Sequence, residues 1–217
     1  MQITAGDVKK ILCDIADAIE REKDYLSELD RAVGDGDHGV SMSVGWQAIR
    51  ERIGEIDDRG ECSEVFKAAG MSFLNAVGAS VGPLYATAFI RAAASVQGKT
   101  ELDVTDIMNL LAAAVNGIKE RGKAEVGDKT MIDTWVPAIE AMKEAESKGQ
   151  EPLFCLEAAV AGGKKGMEAT TQMLSQIGRS SRLGSRSIGH QDPGATSGYL
   201  ILLTFVQSLK EIGTRQI

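Results

Sequence analysis

The chain has 217 residues, 43% of them hydrophobic and 25% charged, with a formal net charge of −7. That length suits a single domain, 1–217, with one substantial core. The acidic balance argues against a nucleic-acid surface, which needs a basic face. With no apolar run of about eighteen residues and no basic-then-apolar leader in MQITAGDVKK, the sequence predicts a soluble cytoplasmic protein without a membrane span.

The first predicted element is a helix over 7–19, where Val8, Ile11, Leu12, Ile15 and Ile19 recur at spacings of three and four. Segments 40–54, 62–77 and 83–96 are rich in Ala, Leu, Met, Lys and Glu and read as helices too. At 104–118, Val104, Ile107, Met108, Leu111, Val115 and Ile118 form another helical face, with Asp103 as its N-cap. Segments 131–147, 152–174 and 195–212 bring the set to about eight helices. No run alternates cleanly between polar and β-branched residues, and the dense apolar run YLILLTF at 199–205 continues into a helical pattern. The expected class is therefore all-α. Cys13, Cys62 and Cys155 lie far apart in helical segments, which suits buried free thiols rather than a disulfide framework or a zinc knuckle.

Between the helices lie glycine-rich or charged stretches at 34–39, 78–82, 121–129 and 178–194. In RAVGDGDHGV, residues 31–40, Asp35 and Asp37 stand between glycines, with Asp30 just upstream and His38 directly after. An EF-hand loop beginning at Asp35 fails, because Val40 falls at its glycine position and Trp46 at its closing glutamate. Three carboxylates within eight residues can still form a cage of hard oxygens, the ligands Mg²⁺ prefers, although an Asp/Gly turn with solvated carboxylates has the same composition. GASVG at 78–82 matches G-x-S-x-G and would make Ser80 a nucleophile with His190, but that elbow needs a preceding strand and KAAGMSFLNAV reads as helix. ASVQGKT loosely resembles a phosphate-binding loop and lacks a strand for the same reason. The loops at 121–131 and 178–194, the latter with Arg179, Arg182 and Arg186, bring basic side chains and exposed amides that suit anions. Joined to a carboxylate cage, they favour a Mg²⁺–nucleotide site.

GDGDHG at 34–39, GDKTMIDTWVPA at 127–138 and GSRSIGHQDPGATS at 184–197 together resemble the nucleotide-binding L subunit of dihydroxyacetone kinases, over nearly the whole chain. The resemblance implies an antiparallel barrel of eight helices with the nucleotide, ADP or ATP, and two Mg²⁺ ions at one end. It implies Asp30, Asp35 and Asp37 as metal ligands, with His38, Gly39 and Ser41 near the phosphates and Ala79 and Ser80 as nucleotide contacts from the glycine turn. Gly122 and Met131 would flank the base, and Arg179, Asp192 and Pro193 would close the site from the long loop.

In such kinases the ketose sits on a separate K subunit, so no catalytic nucleophile is assigned to this chain. The implied activity is phosphoryl transfer from Mg²⁺-bound nucleotide to a small ketose. A lone L-type chain without a fused K domain looks more like the form whose nucleotide is phosphorylated by an M subunit charged from phosphoenolpyruvate through the phosphotransferase system. Two departures, Ser41 where Asn is usual and Val81 where a small hydroxyl residue is usual, leave room for an ATP-dependent kinase of another ketose, such as a tetrulose. An ADP-sensing module acting on a transcription regulator is the alternative from outside enzymology. A homodimer is also left open.

Overall fold

The computed structural model describes residues 1–78 and 80–215. Its elements in chain order are β1 (Ile3–Thr4), α1 (Ala5–Arg21), α2 (Lys23–Val33), α3 (His38–Ile53), α4 (Cys62–Ala76) and α5 (Val81–Ser95). There follow β2 (Glu101–Leu102), α6 (Val104–Gly122), α7 (Ile132–Ser147), α8 (Pro152–Ala169) and α9 (Pro193–Arg215), with 3-10 segments at Thr170–Gln172 and Ser180–Ser187. The class is all-α, as the periodicity predicts. Strand among the described residues is confined to β1 and β2, which pair antiparallel with Ile3 opposite Leu102.

All eight predicted helices are present, most with ends shifted by one to four residues. Helix α2 is additional: its sequence, KDYLSELDRAV, buries only Leu26, Ser27 and Val33, too few for an apolar stripe to stand out. Asp103 caps α6 as expected, accepting from the Asp106 amide at 2.8 Å while Asp106 accepts from the Asp103 amide at 3.3 Å. Thr4 and Asp7 make the same reciprocal pair at the start of α1. The segments before Ser80 and before the 93–99 turn are α4 and α5, helices and not strands, so neither the hydrolase elbow nor the phosphate loop has its context. Cys62 and Cys155 are buried free thiols, whereas Cys13 is only half-buried. No helix of the described residues is long and apolar enough to cross a membrane.

The chain forms two compact units, one of Met1–Ala18, Ser43–Gly122 and Thr204–Ile217, the other of Ile19–Met42 and Lys123–Leu203. Helices α1, α3 and α9 contribute residues to both. In the first unit the core centres on Trp46, whose indole meets Phe73 edge-on at 6.4 Å and Phe89 at 6.0 Å between ring centroids. Such pairs add about 0.5–1.5 kcal/mol beyond burial. Gly45 sits beneath the Phe73 ring, where a Cβ would come within 2.4 Å of it.

In the second unit α7 packs on α8. Pro137 lies inside α7, so no amide there can bond to the Asp133 carbonyl one turn earlier. That carbonyl faces Gly166 of α8, and a Cβ at residue 166 would lie 1.9 Å from its oxygen. Gly162, one turn back, would bring a Cβ to 2.6 Å from the Pro137 carbonyl. The two glycines let the helix backbones approach more closely than any side chain permits. Trp135 of α7 packs on Gly198 of α9, in the same unit.

Gly166→Ala is therefore expected to lower stability by about 1–3 kcal/mol through overpacking against backbone. Ala at Gly54, where a Cβ meets nothing nearer than 3.4 Å, should leave the thermal midpoint close to that of the parent protein. Equal midpoints for both variants would contradict the close helix contact.

Candidate functional site

The acidic motif spans the end of α2, a four-residue turn and the start of α3. Asp30 sits in the last turn of α2, and the Gly34 amide closes that turn on the Asp30 carbonyl at 2.5 Å. A Cβ at Gly34 would fall 2.3 Å from the Asp30 carboxylate, and Gly36 has φ +80, a left-handed conformation that glycine adopts without strain. The Asp37 carbonyl accepts the first bond of α3 from the Ser41 amide at 2.9 Å. The His38 amide donates to the Asp30 carboxylate at 3.2 Å. These constraints bring carboxylate oxygens of Asp30, Asp35 and Asp37 within 4.8 Å of one another, with Asp35 and Asp37 exposed and Asp30 half-buried.

Like charges at that separation repel by about 1 kcal/mol per pair in water and by a few kcal/mol where solvent is partly excluded. The Arg179 guanidinium offsets part of this, paired with Asp35 and 3.8 Å from Asp37. One positive charge against three negative leaves a site with surplus acceptor oxygens and little donor chemistry of its own. Oxygen-only, anionic and open to solvent, the trio fits a hard divalent cation.

Two further helix N-termini lie beside the start of α3. His38 Nε2 is 2.9 Å from Ser197 Oγ of α9, and the His38 imidazole also bonds the Pro193 carbonyl. Burial pushes the His38 pKa below its ordinary value, against the opposing pull of the Asp30 charge and that carbonyl, which keeps the ring neutral near pH 7. Asp192 caps α9, accepting from the Ala195 amide at 2.7 Å. The Ala195 carbonyl in turn accepts from Thr134 Oγ1 of α7 at 2.8 Å, and the Met131 backbone at the start of α7 lies against Gly194. Asp133, fully buried, accepts from the Gly127 amide at 2.6 Å and the Thr130 amide at 2.8 Å and so folds the 127–130 turn onto α7. The starts of α3, α7 and α9 thus gather main-chain amides and the positive ends of helix dipoles, which suits an anion.

Of the residues singled out in the sequence, Asp30, Asp35, Asp37, His38, Gly39, Ser41, Met131, Arg179, Asp192 and Pro193 all fall in the second unit. Gly39 is the tightest point: a Cβ there would lie 1.9 Å from the Lys23 carbonyl of α2. Ser80 is exposed immediately before α5, and Gly122 ends α6 against Leu84; both belong to the first unit. Ala79 lies outside the described residues. Ser197, Asp133, Thr134 and Lys129 were not singled out, although all four stand inside the two longer motifs.

Burial drives the Asp192 carboxyl up to about 7, with the nearby Asp133 charge adding to the effect and the Ala195 amide and Lys129 opposing it. A carboxyl raised in the fold stabilises it fully below its unfolded value near 3.8, and this contribution is lost as pH rises to about 7. Asp192→Asn keeps an oxygen for the Ala195 amide and removes the titration. The variant should therefore gain thermal stability relative to the parent between pH 5 and 7.5, by several degrees if about 1 kcal/mol shifts the midpoint by roughly 2–4 °C. A difference that stays constant across this range would contradict the buried-carboxyl assignment.

Comparison with known proteins adds the lineage. Residues 32–207 match the family model described as the DAK2 domain. The chain is 36% identical over 211 residues to the ADP-binding subunit of a phosphoenolpyruvate-dependent dihydroxyacetone kinase of Escherichia coli, covering 97% of this chain and 100% of that one. It is 36% identical over 189 residues to the ADP-binding subunit of the Lactococcus lactis dihydroxyacetone kinase that depends on the phosphotransferase system, covering 87% of this chain and 90% of that one. The crystal structure of the C. freundii dihydroxyacetone kinase in complex with AMP-PNP and Mg²⁺ superposes with a TM-score of 0.69 at 25% identity, over 93% of this chain. This chain spans only 33% of that larger kinase. On the match to 32–207 and the full-length relatives, the chain belongs to the DAK2-domain family.

Proposed function

We propose that this chain is the nucleotide-holding, phosphoryl-transferring subunit of a dihydroxyacetone kinase, acting as one domain over 1–217. In this reading it carries ADP with two Mg²⁺ ions, receives a phosphoryl group from an M subunit fed by phosphoenolpyruvate through the phosphotransferase system, and passes it to the ketose on a K subunit. The observation that carries the reading is the Asp30, Asp35 and Asp37 trio, within 4.8 Å at the start of α3. Full-length relatives described as ADP-binding subunits support it.

When bound, magnesium and nucleotide supply the phosphoryl-carrying diphosphate and the divalent charge that such transfer needs. The chain's own residues bind and orient. Asp30, Asp35 and Asp37 would hold the metal, and the amides of Gly39 and Val40 would receive phosphate oxygens at the positive end of α3, those of His38 and Ser41 being given to Asp30 and Asp37. Neutral His38, its ring nitrogens taken by Ser197 and the Pro193 carbonyl, would fix the start of α3 against the start of α9 without adding charge. Arg179 would supply a guanidinium to the same group of charges, and Met131, Asp192 and Pro193 would line the remainder. No residue here needs to act as a nucleophile, since phosphoryl transfer rests on positioning and charge neutralisation.

The test is Mg–ADP affinity of Asp35→Ala and Asp37→Ala by calorimetry. Each should fall by at least about a hundredfold, the upper range for outer-shell partners, since these would be direct ligands. Helical circular dichroism should be unchanged, because removing one of three mutually repelling charges forfeits only an exposed contact with Arg179. Undiminished affinity in either variant would end the metal assignment. Native mass of the purified protein in magnesium buffer distinguishes the donor: retained ADP that resists exchange fits the phosphoenolpyruvate-driven relay, and a readily exchanging site fits an ATP-dependent ketose kinase.

A further inference from the structure

Arg179 reaches the carboxylates from a long segment with little apolar attachment. Leu174, Ile177 and Ile188 are exposed, and the buried side chains between Thr170 and Asp192 are Ser175 and Ser187 among the described residues. The tip has the short 3-10 turns of Ser180–Ser187 with a break at Gly184. Polar ties hold the two ends: the Gly189 amide on the Thr171 carbonyl at 2.7 Å, the Ser175 amide on Ser187 Oγ at 3.0 Å, and the Gln176 amide on the Asp128 carbonyl at 3.1 Å.

At the centre of these ties is Lys129, only 1% exposed. Its Nζ donates to the carbonyls of His190 at 2.5 Å, Ser187 at 2.6 Å and Met173 at 3.2 Å. An ammonium has three protons, and here all three are engaged by main-chain oxygens from both ends of the segment. Burial lowers its pKa while the Asp192 charge works against that. The residue is also held at φ 63, an unusual backbone conformation for a lysine, which directs it inward from the 127–130 turn. A planar guanidinium could not meet three carbonyls arranged around one point.

We propose that Lys129 is a positioning residue of the nucleotide site: by binding carbonyls at both ends of the 173–190 segment it closes that segment and sets Arg179 over Asp35 and Asp37. The proposal rests on the nucleotide-site reading above. Lys129 does not reach the site itself; it reduces the ordering that Arg179 would otherwise undergo each time ligand binds.

The experiment compares parent, Lys129→Met, Arg179→Ala and the double variant for Mg–ADP affinity, and follows tryptic cleavage after Arg182 and Arg186 by mass spectrometry. Lys129→Met should weaken Mg–ADP roughly 10-fold to 100-fold, the scale of a lost outer-shell partner. In the Arg179→Ala background the same change should cost less than about twofold, because contacts acting through one group are not additive. Cleavage at Arg182 and Arg186 should accelerate in Lys129→Met. Lys129→Gln, which keeps two donors, should restore part of both losses, and Lys129→Arg should not. Additive losses in the double variant, or unchanged cleavage, would overturn the proposal. So would loss of cooperative unfolding in both Lys129→Met and Lys129→Gln, which would make the residue a determinant of the whole fold. If the parent itself fails to bind Mg–ADP, the nucleotide reading falls, and the cleavage comparison alone decides whether Lys129 anchors the segment.

Discussion

Mutual repulsion among Asp30, Asp35 and Asp37 is the constraint around which the surrounding structure is arranged. Carboxylate oxygens within 4.8 Å of one another would drift apart on a flexible chain. Here they are prevented from doing so by covalent geometry: Asp30 is fixed in the last turn of α2, Asp37 is fixed as the residue before α3, and the turn between them is tied at Gly34. Gly39 matters because the backbones of α2 and α3 come too close there for any side chain, and Gly34 because a Cβ would strike the Asp30 carboxylate. The electrostatic cost is then met from several directions, by the His38 amide, by the positive end of α3 and by Arg179. A divalent cation would meet it more fully than any of these.

Within the second unit the surroundings of that trio use a repeated device, the helix start. Asp192 caps α9, Asp133 organises the turn before α7, and His38 joins the start of α3 to α9 through Ser197. Each N-terminus leaves amides without partners inside its own helix, and these serve as ready donors for phosphate or carboxylate oxygens. Side chains such as Asp133, Thr134 and Lys129 are bonded to main-chain groups and hold the helix starts and the loop in register. Charge is thus concentrated in a few exposed groups over a scaffold that includes the buried, hydrogen-bonded Asp133, Thr134 and Lys129.

The helices were legible because burial writes itself into apolar spacing, as at Ile11, Ile15 and Ile19 of α1 or Leu111, Val115 and Ile118 of α6. Helix α2 was not, since its sequence is dominated by charge and its placement depends on Gly39 beneath it. The acidic motif was legible because three aspartates within eight residues place like charges side by side. Lys129 was opaque for the opposite reason: lysine ordinarily marks solvent, and its burial depends on three carbonyls lying 44 to 61 residues further along the chain. Thr134 shares that property, its partner being the Ala195 carbonyl 61 residues further on, whereas Asp133 bonds the local amides of Gly127 and Thr130. The 178–194 loop read as irregular, and its 3-10 turns carry no apolar period that could have announced them.

The placement of the two indoles has a practical side. Trp46 stands among Phe73 and Phe89 in the first unit, and Trp135 packs on Gly198 in the second. They are the chain's only tryptophans. Each compact unit therefore carries one intrinsic fluorophore, and replacing either by phenylalanine leaves an emission signal that belongs to a single unit. Denaturation followed through the two single-tryptophan proteins would show whether the units melt together or in sequence, without any attached label.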